Sequence, residues 1–144
     1  MKKNKKIFTF NQKKLKNWFF YWLTVSISFL ILVFLITSTW IAASLQQQCD
    51  TAKSKYEGDC VQSLSQLVDD ESNSLAERNH SIWALGQMGD SRAKEIIEKY
   101  YTGDIPQREK YNQVLSQYEM KKALNLLNGS FNVTHLVWNR KNIK

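Results

Sequence analysis

The chain has 144 residues and a formal net charge of +7, which leaves about 95 residues for a folded part beyond its long apolar segment, enough for one small core and too few for a second. The charge lies at one end: residues 1–17 carry seven lysines and no acid, while the other 127 residues hold 13 bases against all 13 acids. A nucleic-acid-binding domain needs a basic face within its folded part, because phosphate neutralisation supplies much of the affinity, so a neutral remainder argues against that class of partner.

Behind the basic stretch 1–17 comes an uncharged run from Asn17 to Cys49 in which residues 18–45 contain neither Pro nor Gly. A helix rises 1.5 Å per residue, so about 20 apolar residues cross a hydrocarbon core of about 30 Å and the 28 residues here exceed that with margin for tilt. Trp18, Tyr21 and Trp22 gather at one end and Trp40 stands near the other, the spacing of two interfacial aromatic belts. A secretory signal peptide is the competing reading, with Ala42, Ala43 and Ser44 as small residues of the kind a peptidase accepts. Its apolar region spans only about 7–15 residues, which favours a retained signal anchor here. The lysine cluster predicts a cytoplasmic N-terminus and an extracytoplasmic domain, because only Lys53 and Lys55 follow the helix closely and Asp50, Glu57 and Asp59 offset them. No ionisable residue lies within the span, so no ion path or proton relay is expected there.

Residues 46–60 read as an exit linker. They hold both cysteines, Cys49 and Cys60, and the predicted topology places these on the oxidising side. A disulfide is the favoured pairing, and two free thiols are the alternative. Closing a loop of this length would stabilise the fold by roughly 3 kcal/mol in the chain-entropy model. His80 and His135 lie far apart without metal-ligand spacing, and no nucleophile elbow or phosphate-cradling glycine loop is present. Neither a cofactor nor a catalytic or metal site is expected.

Residues 61–144 read as a small helical domain. The stretch CVQSLSQLVDDE places Val61, Leu64, Leu67 and Val68 on one helical face. In NSLAERNHSIWALGQMG, Ser74 and Glu77 have capping-box spacing, Ile82, Leu85 and Met88 form an apolar side, and Gly89 ends the helix. Asp90 or Ser91 then caps SRAKEIIEKYY, with Ala93, Ile96, Ile97, Tyr100 and Tyr101 inward, so that two helices joined by a short turn predict a helical hairpin. A further helix is expected over residues 107–129, with Val114, Tyr118, Met120, Ala123, Leu124 and Leu127 available for packing. The tail after it alternates Phe131, Val133, His135 and Val137 in the manner of an extended segment lying along the helices; Leu136, Val137 and Trp138 are alternatively part of a contact surface.

The run ERNHSIWALGQMGDSRAKEII resembles one HEAT-type repeat of the short form also found in phycobiliprotein-lyase-like proteins. Arg78, Ala84, Leu85, Gly86, Gly89, Asp90, Arg92 and Ala93 stand at the places that carry the resemblance. Small Ala84 and Gly86 let neighbouring helices approach, Asp90 caps, and Arg92 reaches an acid or carbonyl of an adjacent turn. The match covers about one repeat, whereas solenoids normally stack three or more. Together these features give an all-α chain: one transmembrane helix, a HEAT-like α-hairpin domain and a short extended tail.

The resemblance implies an interaction module that binds another protein, displayed on the outer face of a membrane and not an enzyme. The alternatives are a ligand-handling accessory of lyase or chaperone type, and an envelope structural subunit that self-associates as a homo-oligomer. Trp83 either fills a gap between helices or anchors an interface, since tryptophan is enriched in binding hot spots. Trp83, Arg92 and Trp138 are the candidate surface residues.

Overall fold

A computed structural model of the chain describes residues 12–110 and 113–130, with side chains from Lys16 onward. The described residues are helical throughout their regular structure and include no strand. Helix α1 runs Gln12–Lys55, α2 Cys60–Asp69, α3 Leu75–Met88, α4 Lys94–Tyr100 and α5 Gln117–Leu127; a 3-10 turn, Ser91–Ala93, leads into α4. The expected extended tail, including Trp138, lies outside the described residues. The chain divides into two compact units, residues 1–37 and 38–144.

In the first unit α1 is long and apolar enough to cross a membrane, and none of its most apolar window is buried by protein. Trp18, Phe29, Leu30 and their neighbours all face outward. Polar side chains return to the helix's own backbone: Thr24 Oγ1 donates to the Phe20 carbonyl at 2.9 Å and Thr37 Oγ1 to that of Val33 at 3.0 Å. A hydroxyl satisfied in this way costs little in an apolar medium.

The second unit holds the core, and α1 enters it. Leu45, Cys49 and Ala52, spaced i, i+4 and i+7, are buried with Val61, Leu64, Leu67 and Val68 of α2, Ile82 and Leu85 of α3, Ile97 of α4 and Met120, Ala123 and Leu124 of α5. The segment 46–60 is therefore not a linker over most of its length. It stays helical to Lys55, because its apolar positions keep helical period through the polar Gln46–Gln47–Gln48, and only residues 56–59 connect α1 to α2.

Helices α2, α3 and α5 each start at an identifiable side-chain cap, whereas α4 follows Ala93 of the 3-10 turn without one. Asp59 accepts from the Gln62 N–H while the Gln62 side chain returns to the Asp59 N–H, a reciprocal box at the start of α2. Ser74 and Glu77 make the same box for α3, and Gly89 closes α3 in the left-handed conformation at φ 68°. Asp90 caps the 3-10 turn. Helix α5 is shorter than the stretch 107–129 suggests. It begins only after Ser116, whose hydroxyl accepts from the Glu119 N–H, and Val114 and Tyr118, expected to pack inward, are exposed. Helix α3 packs on both α2 and α5, and α4 packs on α5 and α2.

Candidate functional site

Three sets of side chains shape the second unit, and two of them hold it together. At the end of α1, the sulfurs of Cys49 and Cys60 are joined, with 5.2 Å between their Cα atoms. Four residues after Ala52, Tyr56 donates its hydroxyl to Asp70 Oδ2 at 2.6 Å and accepts from Asn73 Nδ2 at 2.6 Å. Lys55 Nζ donates to Asn73 Oδ1 at 3.1 Å and to Glu77 Oε1 at 2.7 Å. The α2–α3 turn is thereby tied to the end of α1. The Tyr56 hydroxyl, with Ser72 behind it, holds the Asp70 carboxyl down to about 2, and Lys55 holds Glu77 below its usual range.

The second set contains the residues that carry the repeat resemblance. Arg78 is buried, donates from Nε to the Val68 carbonyl at 2.8 Å and lies 5.4 Å from the Tyr100 ring centroid. A cation at the carboxyl end of α2 satisfies one of its orphan carbonyls and complements its dipole. Arg92 donates to Asp90 Oδ2 at 2.8 Å and to Asp59 Oδ2 at 2.6 Å, so one guanidinium links two helix-start carboxylates. These carboxylates are held below the usual range, Asp59 by the Gln62 N–H first and then by Arg92, Asp90 chiefly by Arg92. Lys99 and Tyr100 both donate to Asp69 Oδ1, fastening α4 to the end of α2.

Ala84, Leu85 and Gly86 are buried in α3. A Cβ on Gly86 would fall 2.6 Å from the Cα and Cβ of Ala123, so the absent side chain is what brings α3 against α5. Asn79, which sequence reasoning passed over, is fully buried beside this contact. Its Oδ1 accepts from the Ser116 N–H at 2.8 Å and its Nδ2 donates to the Val114 carbonyl at 3.0 Å, which positions the start of α5. The available signal was an Asn inside a helix, where its propensity is poor and a long-range bond is a reason for its presence.

The third set is a surface. Three helical stripes converge on an open groove of about 410 Å³: Ser44 and Gln48 of α1, His80 and Trp83 of α3, Glu119 and Lys122 of α5. A second, much smaller cavity is lined by Gln87, Ala123 and Leu126 and shares Trp83, Glu119 and Lys122 with the groove. Trp83 is half-buried and lines both. Lys122 Nζ donates to Glu119 Oε1 at 3.1 Å and lies 5.0 Å from the Tyr118 ring centroid. The structure thus places Trp83 in a concave setting and Arg92 in a structural pair of ion bridges away from the groove lining. Among the described residues no three His, Cys, Asp or Glu side chains converge as metal ligands. No family model, curated protein or solved structure matches the chain.

Proposed function

We propose that the chain is a membrane-anchored interaction module whose HEAT-like domain lies outside the cytoplasm and binds another protein through the α3–α5 face. The groove around Trp83 carries this reading: a half-buried indole, ringed by polar side chains from three helices, offers the apolar centre and polar rim of a protein contact. The repeat resemblance points the same way, since such helical pairs present surfaces to other proteins. The seven lysines before the apolar run support the orientation. The ionisable groups of the other two sets serve caps and ion bridges that join elements.

One observation favours a second reading, a ligand-handling accessory. Ser44, Gln48, His80, Glu119 and Lys122 converge within one concavity whose volume falls in the range of small-molecule sites. The groove is open, and small-molecule sites enclose most of their ligand.

Recovery of the tagged full chain from membranes distinguishes the two. A specific protein should co-purify with the parent chain and be lost at least about tenfold with Lys122→Glu, while thermal unfolding of the variant stays unchanged, because Lys122 is a surface residue. Undiminished recovery with Lys122→Glu would overturn the interaction reading. A small molecule retained one-to-one in native mass spectrometry, with no protein recovered, would establish the second.

A further inference from the structure

We infer that the partner met at the α3–α5 groove is itself a membrane-spanning protein, bound through the segment that leaves the bilayer beside α1. This class of partner rests on the proposed interaction function and on α1 crossing the bilayer. The α1 wall of the groove, Ser44 and Gln48, continues a helical stripe that begins at Trp40, at i, i+4 and i+8. Trp40 is 73% exposed and stands where an interfacial aromatic belt is expected. At the rise of an α-helix, Ser44 lies about 6 Å and Gln48 about 12 Å further along the axis. The headgroup layer is about 5–8 Å deep on each side of the hydrocarbon core, so the groove opens at the outer edge of that layer.

No stalk lifts the domain away from this level. Ile41 and Ala42, next to Trp40, already pack against the core, and Leu45, Cys49 and Ala52 are buried in it. Helix α1 runs unbroken from Trp40 to Lys55 with neither Pro nor Gly to kink it, and the Cys49–Cys60 bond and the Lys55–Glu77 bridge fasten its end. The groove therefore keeps one height and one facing, and whatever fills it must lie among headgroups. The lining suits a chain that does so by nature. Ser44 and Gln48 are uncharged, Lys122 and Glu119 offset each other, and Trp83 offers an indole, so the site has no excess charge with which to draw in a charged soluble surface. The flanks of transmembrane helices are enriched in Trp and Tyr at this depth, and such rings pack well on another aromatic.

Photo-crosslinking of the tagged full chain in membranes tests this, with p-benzoylphenylalanine replacing the exposed Ser44. The probe should join to a different protein that stays in the membrane through alkaline carbonate extraction. Inserting seven polar, helix-forming residues between Thr37 and Ser38, the boundary of the two units, then tests the height. The insertion raises the domain by about 10 Å and turns it by only about 20°, while the 20 residues 18–37 still suffice to cross the core. Capture should fall at least about tenfold, because two chains fixed in one bilayer engage only where their heights match. The Cys49–Cys60 bond and the thermal unfolding of the domain should be unchanged. Undiminished capture after the insertion, or capture of a protein that carbonate removes, would overturn the inference and leave the interaction reading standing. Capture of a second copy of this chain alone would overturn it in favour of self-association. Lipid adducts alone, or none, would overturn both readings.

Discussion

Asn79 shows how much of this small domain depends on single side chains. Replacing it by alanine removes its bonds to Val114 and Ser116 and leaves the N–H of Ser116, itself buried, without that acceptor. Asn79→Ala should cost about 2–3 kcal/mol, read as a lower urea midpoint with an unchanged slope. Gly86 is limited by space in place of hydrogen bonding. A methyl there meets the backbone of Ala123, which cannot swing aside as a side-chain end could, so a loss of about 1–3 kcal/mol from overpacking outweighs the gain of about 0.5–1 from helix propensity. Gly86→Ala should therefore lower the melting temperature, and a rise would show that α3 and α5 stand further apart. Asp70 sets a pH dependence. Its folded carboxyl titrates near 2, below the ordinary value of about 4, so its contribution is fully present above about pH 4 and is lost as pH falls through about 2. Asp59, Asp69, Glu77 and Asp90 shift in the same direction. Urea midpoints should fall as pH drops from about 5 to 2, and Asp70→Asn should flatten part of that slope.

At the scale of elements, α1 is the helix whose extent differs most from its reading in sequence. Residues 18–45 are legible as an apolar helix because no charge or breaker interrupts them, but the three glutamines 46–48 mask the continuing period of Leu45, Cys49 and Ala52. The Ser74–Glu77 box and the Gly89 terminator were legible because both signals are local. The Asp59–Gln62 box has equally local spacing but stands in a polar, charged stretch that lacks an apolar period of its own. The start of α5 carries the same local Ser-x-x-Glu spacing at Ser116 and Glu119, whereas nothing near Ser116 announces that Asn79, 37 residues earlier, holds its N–H. The groove needs three elements at once, so His80 and Lys122 have no common signal in the chain, whereas Trp83 could be singled out as an aromatic beside small residues. Helix α1 is joined to the domain by the Cys49–Cys60 bond and the Lys55–Glu77 bridge. The bridge is exposed at both ends and contributes at most modestly. The covalent link should dominate. Replacing both cysteines by serine should lower stability by about 2–5 kcal/mol, whereas Lys55→Met should leave it nearly unchanged. Equal effects would show that the crosslink adds nothing beyond the packing of Leu45 and Ala52.

For the whole molecule, the distribution of charge makes the sharpest claim, because the fold is indifferent to it. The domain's core is apolar and its ion bridges join its own elements, so turning the chain around in a membrane would leave every described noncovalent contact of the second unit in place. What distinguishes the two orientations is that Lys2, Lys3, Lys5, Lys6, Lys13, Lys14 and Lys16 precede the apolar run without one acid among them, while the bases just after it are balanced by acids. Lysines flanking a first apolar helix resist transfer, and the bias counts most within about 15–20 residues of the span, where all seven stand. A reporter that works only outside the cytoplasm, fused after Lys144, should be active, and a cytoplasm-only reporter at the same site silent. Changing the seven lysines to glutamine should redistribute activity between the two reporters, and the population facing the cytoplasm should then carry reduced thiols at Cys49 and Cys60, since that compartment keeps cysteines reduced. The reverse reporter pattern in the parent chain would overturn the orientation and remove the oxidising surroundings that the Cys49–Cys60 link requires.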